Sequence, residues 1–236
     1  MTICLKYKTL ICEILRWKLI LESLHPMPVG PTRTRRDVKM RFYTLVGVGF
    51  VISCLVAVPL SVGAGEPTEQ LSATINAFVS ILASTPVAEL RAKGLPENAR
   101  ELIFVRFDFS EMTKRSLGSH WNSLSQAEQH EFVEAFTQRL LVFYGRTVRS
   151  SDGDKIQFKG EVQEGGEARV ETKVVGGYGE ELPIDYKLHD VDGQWKVYDV
   201  SIDHVSLVNN YRAQFERVIA KSSVKDLLRK VKDQAS

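Results

Sequence analysis

The pattern of apolar and polar positions changes from a helical period to a strand period about halfway along residues 65–236. In the first half, apolar side chains recur every three or four positions, which is typical of amphipathic helices. Ser125 and Glu128 have the spacing of a capping box, so a helix is expected to begin there. The spacing predicts four helices: 66–84, a short one from Pro86 to near Gly94, one between Pro96 and Gly118, and a long one after Ser125.

From Lys155 onward apolar positions alternate with polar ones, which predicts β-strands. Four alternating runs are separated by the turn sequences EGGE, GGYGEE and DVDG, and such short turns predict an antiparallel meander. A closing helix is predicted from about Val205, followed by a charged tail. Together these elements predict an α+β fold, with N-terminal helices packed on a curled meander of about four strands and a C-terminal helix that closes the domain.

The fourth strand, within DGQWKVYDVSIDH, is apolar on both sides. By simple alternation Trp195 and Val197 point one way, while Tyr198, Val200 and Ile202 point the other. A strand with one solvated face would be apolar on one side only. Two explanations stay open at this stage. Either a second helical layer covers the other face, or helices and sheet enclose an apolar cavity.

Residues 40–64 have the layout of a secretory signal peptide. Arg41 supplies positive charge, an apolar run covers 45–58, and Val62 and Ala64 stand at the small-residue positions of a cleavage site. The apolar run is short for a helix that spans a bilayer. The segment therefore predicts export from the cytoplasm.

The signal-peptide interpretation leaves 65–236 as one exported domain and 1–39 as an upstream extension that is unstructured or not native, with Met40 as the alternative start. All three cysteines precede residue 65, so the exported domain has no disulfide. Nine of the 31 Lys and Arg and three of the 29 Asp and Glu also precede it, which turns a net charge of +2 into −4. An acidic domain gives no electrostatic reason to expect nucleic-acid binding.

The exported domain lacks a recognisable catalytic or metal-binding motif. Its histidines are scattered without ligand spacing, and it has no cysteine ligands. GGYG joins two strands instead of opening a helix, so it is not a phosphate-binding loop, and no G-x-S-x-G sequence occurs. Carboxylates such as Asp108 and Asp199 could in principle serve as acid or base, so an enzyme is not excluded. The sequence gives no positive sign of one, however, and we expect a protein that is not an enzyme and binds no metal or cofactor.

Three segments of the domain resemble the MlaC family, whose members are also called toluene-tolerance auxiliary proteins. They are WNSLSQAEQHEFVEAFTQRLLVFYGRTV, LPIDYKL and DGQWKVYDVSIDHVSLVNNYRAQF. The resemblance covers about residues 66–230. Its most specific part is the third segment, which matches at Trp195, Lys196, Val197, Asp199, Val200, Ser206, Leu207, Tyr211, Arg212 and Phe215.

This resemblance implies a periplasmic carrier of phospholipid that needs no cofactor. Such carriers shuttle lipid between an inner-membrane ABC transporter complex, which contains an MCE-domain ring, and an outer-membrane lipoprotein complex. A related branch occurs in hopanoid-producing bacteria, so a hopanoid-associated lipid is an alternative cargo. Two other classes stay open: an enzyme on a cone-shaped α+β fold, with a His or Asp directed into the cavity, and a structural envelope protein with a solid interior.

A carrier of this kind needs an apolar pocket, and the helical stripe and strand alternation select its wall. We expect the long helix and the meander to face each other across an apolar cavity between the layers. Because strand side chains alternate, a register error of one residue would exchange every choice on the sheet. The expected lipid-binding residues are Leu140 and Tyr144 from the helix, and Phe158, Val174, Ile184, Tyr186, Trp195 and Val197 from the sheet.

Overall fold

The structure, a computed structural model, describes residues 66–145, 155–176 and 179–234. The predictions for 1–39 and 40–64 lie outside these residues. None of the described helices combines the length and the apolarity needed to cross a bilayer. The elements, in order, are α1 (Glu66–Ser84), α2 (Val87–Lys93), α3 (Glu97–Arg106), α4 (Phe109–Leu117), a 3₁₀ turn (Gly118–Ser123), α5 (Gln126–Gly145), β1 (Lys155–Glu164), β2 (Glu167–Val175), β3 (Glu181–Val191), β4 (Gln194–Ile202), β5 (Val205–Ser206), α6 (Leu207–Lys221) and α7 (Val224–Asp233).

The strands form one open antiparallel sheet in the order β1-β2-β3-β4-β5. This confirms the α+β fold and the meander. The sheet has five strands because the chain reverses after Ile202 and pairs two residues back onto β4. Asp203 and His204, with φ of 49° and 64°, form this reversal, since a two-residue turn with both residues at positive φ matches the twist of a hairpin.

The helix predicted between Pro96 and Gly118 is in fact two helices, so this prediction was wrong. The chain leaves the helical conformation at Phe107 because its backbone joins the edge of β4. The N–H of Asp108 donates to the carbonyl of Val197 at 2.8 Å. The Asp108 carboxylate then accepts a hydrogen bond from the N–H of Glu111 at 2.8 Å, which starts α4.

The long helix begins as the capping box predicts. The N–H of Ser125 donates to Glu128 Oε2 at 2.9 Å, and the N–H of Glu128 donates to Ser125 Oγ at 3.3 Å. The charged tail predicted after the last helix is itself helical. It forms α7, because Leu227 and Val231, one turn apart, give it an apolar side that is almost fully buried.

The main hydrophobic core is built by helices α4 to α7. Three aromatic rings form its centre: Phe136 meets Tyr211 edge to face at 4.8 Å and Phe215 at 5.4 Å between ring centroids. The buried members of this core are Phe109, Met112, Leu117, Phe132, Ala135, Phe136, Leu140, Val208, Tyr211, Phe215, Leu227 and Val231. All belong to helices, so the sheet face is stabilised separately.

Helix α1 is tied to the sheet at its first turns. The N–H of Thr68 donates to Glu161 Oε2 on β1 at 2.9 Å, and Gln70 Oε1 accepts from the N–H of Trp195 on β4 at 3.0 Å. Arg106, at the end of α3, donates to the same Gln70 oxygen at 2.8 Å and to the Trp195 carbonyl. These bonds join α1, α3 and β4 at one edge of the sheet.

Candidate functional site

Strand pairing places the predicted sheet residues on one common face, here called the inner face. Residues opposite one another in an antiparallel pair point to the same side. Phe158 lies opposite Thr172, and Thr172 lies opposite Ile184. Along each strand, every second residue then shares this side, which adds Val174 on β2 and Tyr186 on β3. The register on β2 and β3 is therefore the one that the alternation predicted.

A bulge in β4 explains why this strand is apolar on both sides. Lys187 pairs with Asp199, but the next residue, Leu188, pairs with Val197, so Tyr198 is an extra residue. Before the bulge Val197 and Trp195 point to the inner face, and after it Val200 and Ile202 do the same. The expectation that Trp195 and Val197 face away from Val200 and Ile202 was wrong, because alternation assumes an unbroken ladder.

A second bulge, in β1, has the opposite effect on Val162. The register shifts between Phe158 and Gly160, and Val162 then pairs with Arg169 on the outer face. Its side chain is 53% exposed. Glu161 turns to the inner face instead, where it holds the N-terminus of α1. Val162 is thus a solvent-facing apolar residue on the same sheet.

Four of the predicted lipid-binding residues, Phe158, Val174, Ile184 and Tyr186, are partly exposed on the inner face. A solid core would bury these side chains fully, so this face keeps apolar surface that a ligand could contact. Ile156 is also partly exposed and lies opposite Val174. Sequence reasoning missed this residue, although the same alternation could have selected it.

Among these four residues, Tyr186 tells most about the surroundings of the inner face. Its side chain retains accessible surface, yet burial raises the pKa of its hydroxyl to about 12. Its hydroxyl forms no hydrogen bond within the described part of the chain. Protein atoms thus surround much of this side chain and disfavour its charged form, while part of its surface stays accessible to a ligand.

The other four predicted residues have different surroundings. Trp195 and Val197 lie on the inner face but are only 3% and 0% exposed. Leu140 is 5% exposed and belongs to the core of α4 to α7. Tyr144 lies in the last turn of α5, and its side chain lies outside the described residues. A lipid would reach Leu140, Trp195 and Val197 only if neighbouring elements moved, so their role stays a prediction.

A cluster of polar and ionic side chains occupies the opposite side of β3 and β4. His189 Nε2 lies 3.0 Å from Asp108 Oδ2, and the His189 ring meets the Tyr198 ring edge to face at 5.5 Å. The Arg115 guanidinium lies 3.9 Å from the centre of the Tyr198 ring and binds Glu111 at 2.7 Å. His189 is an odd-numbered residue of β3, so this cluster is separated from Ile184 and Tyr186 by the sheet itself.

An open groove of about 340 Å³ lies between the end of α4 and helix α6. Charged and polar side chains line it. The Nε of Arg212 donates to the Arg115 carbonyl at 2.8 Å, and Lys114 binds Glu111 at 3.1 Å. These cations stabilise the end of α4 and are held by protein groups. Such a lining does not suit acyl chains.

Within the described part of the chain, no group of three or more His, Cys, Asp or Glu side chains is arranged to hold a metal ion. The individual carboxylates have structural partners instead. Asp108 caps α4, and the buried Asp199 accepts hydrogen bonds from Ser206 Oγ and from the N–H of Val208. Both carboxylates therefore have structural roles in this fold.

Comparison with known proteins agrees with the resemblance found in the sequence. The profile of the family described as "MlaC protein" matches residues 72–233. Toluene tolerance protein ttg2D of Pseudomonas putida is 29% identical over 89 residues, which is 37% of this chain and 41% of that protein. The matched segment thus spans about two fifths of the length of this curated relative.

A solved structure has the same fold. It is a phospholipid-binding protein from Ralstonia solanacearum in complex with a phospholipid. The TM-score is 0.63 at 22% sequence identity, over 72% of this chain and 97% of that one. At this identity the likeness establishes the arrangement of helices and strands.

Proposed function

The chain belongs to the MlaC family, and on this premise we propose that it is a periplasmic phospholipid carrier. The inner face of the sheet holds the acyl chains, with Phe158, Val174, Ile184 and Tyr186 as contacts. Leu140, Tyr144, Trp195 and Val197 join this wall when the pocket is open. The carrier shuttles lipid between an inner-membrane ABC transporter complex with an MCE-domain ring and an outer-membrane lipoprotein complex, and residues 40–64 direct its export.

One observation carries the proposal: an apolar sheet face that is only partly packed. Val170 and Leu188 on this face are 0% exposed, whereas Ile184 and Tyr186 beside them retain accessible surface. A ligand that fills the remaining space would remove apolar surface from water at about 25 cal/mol per Å². The phospholipid held by the structural relative from Ralstonia solanacearum is a ligand of suitable shape and polarity.

The position of the polar cluster favours a carrier over an enzyme. A hydrolase built on this fold would need a base or nucleophile beside the bound lipid. His189 and Asp108 form the one His–carboxylate pair within 3.5 Å in the described residues, and they lie behind the sheet. Their contacts to Tyr198 and to the start of α4 are structural.

The energy of acyl-chain burial determines how such a carrier must work. Transfer of a methylene to water costs about 0.8 kcal/mol, so two chains with ~30 methylenes represent on the order of 24 kcal/mol. Spontaneous release into water would be extremely slow. Transfer should therefore occur by contact with a partner whose own apolar channel receives the lipid, and ATP is consumed by the transporter.

Native mass spectrometry with lipid extraction tests the proposal. The protein purified from cells that express the full chain is expected to carry bound phospholipid, released on denaturation and identified by its fragments. Because the head group is polar and stays at the pocket mouth, several phospholipid classes should bind. A protein that never carries lipid and takes none up from vesicles would overturn the carrier proposal. A bound sterol-like or hopanoid lipid would replace phospholipid as cargo.

A further inference from the structure

Positive charge is concentrated at the C-terminus of an otherwise acidic domain. Residues 207–233 contain seven Lys or Arg and three Asp or Glu, a net charge of +4. Residues 65–206 contain 15 Lys or Arg and 23 Asp or Glu, a net charge of −8. Such a separation creates a field that orients the protein toward an anionic surface.

The charge lies on the outer sides of α6 and α7. Five exposed residues, Arg217, Lys221, Lys225, Arg229 and Lys230, form what we call the C-terminal basic patch. Lys221 ends α6 and Lys225 lies in the first turn of α7, so these two flank the short turn between the helices. Arg217 lies one turn before Lys221, and Arg229 lies one turn after Lys225.

Most of these cations have no counter-ion in the protein. Within the described part of the chain, Arg217, Lys221, Lys225 and Lys230 form no ion pair or hydrogen bond through their side chains. Arg229 binds Asp226 at 2.6 Å. Of the nearby carboxylates, Glu131 is held by Lys232, and Glu128 is hydrogen-bonded to Ser125 and lies within the electrostatic reach of Lys225 alone among the patch residues. The patch therefore presents free positive charge to solvent.

The patch lacks the features of a protein–protein interface core. Such cores contain aromatic or aliphatic anchors that are desolvated on binding. Leu227 and Val231 of α7 point into the helical core, and none of the large apolar residues exposed in the described chain lies on α6 or α7. A group of long, exposed cationic side chains without apolar anchors fits the head groups of an anionic bilayer, which bind such residues electrostatically.

We propose that the C-terminal basic patch docks the protein on membranes that contain anionic phospholipid. This goes beyond the carrier function, because it concerns how the protein reaches a bilayer and not how it holds a lipid. The apolar sides of α6 and α7 stay buried in the core during docking, so only the charged side chains contact the membrane. Docking is therefore electrostatic and reversible. Added salt weakens it.

Vesicle co-sedimentation of protein purified from cells that express the full chain tests the proposal. Binding is expected to vesicles of phosphatidylcholine mixed with phosphatidylglycerol at low salt, and to be lost at high salt or with phosphatidylcholine alone. A variant with Arg217→Gln, Lys221→Gln, Lys225→Gln and Lys230→Gln should bind about 600-fold more weakly, since each of the four basic residues near such a surface contributes a factor of about five. A matched variant with Lys93→Gln, Lys155→Gln, Lys159→Gln and Arg169→Gln should lose much less.

Equal losses in the two variants would overturn the proposal, because net charge alone would then explain binding. Equal binding to neutral and anionic vesicles would also overturn it. If the patch variant binds vesicles normally but no longer exchanges lipid with a partner protein, the patch is a protein interface and the membrane assignment is wrong. Lipid co-purified with each variant is measured separately. A failure of docking with normal lipid content is thereby distinguished from a failure of the carrier function.

Discussion

The carboxylate of Asp199 on β4 accepts a hydrogen bond from the backbone N–H of Val208 at 3.1 Å, and this bond fixes the first turn of α6 against the sheet. The second carboxylate oxygen accepts from Ser206 Oγ at 2.7 Å, and Ser206 Oγ in turn accepts from the N–H of Asn209 at 3.1 Å. Asp199 is 3% exposed. A buried carboxylate with two donors thus satisfies helix N–H groups that would otherwise lack partners.

Asp199→Ala is expected to lower the free energy of unfolding by about 2–4 kcal/mol, because a buried N–H and a hydroxyl lose their acceptor. Asp199→Asn should cost about 1 kcal/mol, since its amide oxygen can still accept from Val208. Urea unfolding measures both. Asp233→Ala, at the exposed end of α7, is the control. Equal effects of Asp199→Ala and Asp233→Ala would contradict this role.

Arg106 is a buried cation held by neutral acceptors. It is 6% exposed, burial lowers the pKa of its guanidinium, and its partners are Thr74 Oγ1 at 3.0 Å, Gln70 Oε1 at 2.8 Å and the Trp195 carbonyl. Arg106→Ala and Gln70→Ala should each destabilise the fold by about 1–3 kcal/mol. Because they share one network, the double variant should differ from the sum by about 0.5–3 kcal/mol. Additive losses in thermal or urea unfolding would show that the bonds act independently.

Tyr186 should titrate with a pKa of about 12, which tyrosinate absorbance can follow. An unfolded tyrosine titrates near about 10, so the folded state holds this proton more tightly. The stabilisation is complete below about pH 10 and declines by about 2–3 kcal/mol as the pH rises to about 12. Tyr186→Phe should remove this decline and the high-pH transition. Ordinary titration of Tyr186 would place its hydroxyl in open solvent.

Ile184→Glu is expected to reduce the lipid that co-purifies with the protein by about tenfold or more, while the protein stays folded. A carboxylate in an apolar pocket would have to be desolvated whenever acyl chains filled it. Val162→Glu makes the same change on the outer face of the same sheet, where 53% exposure leaves the charge in water. Lipid phosphorus per folded protein measures both. Unchanged loading of Ile184→Glu, or equal losses in the two, would remove Ile184 from the wall.

Local sequence signals determined much of the helical region. The period of apolar residues predicted α1 and α2, and the Ser125–Glu128 capping box predicted the start of α5, because caps and stripes depend on residues within one or two turns. The break between α3 and α4 could not be predicted in this way. It depends on a hydrogen bond from Asp108 to Val197, which is distant in sequence.

The sequence by itself determined the order of elements, the antiparallel meander and the apolar character of the inner face, since alternation and short turns are local properties. Tertiary structure alone decided which apolar residues share that face. The extra residue Tyr198 brings Trp195 and Val197 to the inner side, and the bulge beside Phe158 sends Val162 outward. A bulge leaves no mark in a periodic pattern, because it is chosen by pairing with the neighbouring strand and by what packs against it. Tertiary packing also distinguishes Leu140, which is buried in the helical core, from Ile184, which keeps surface available for a ligand.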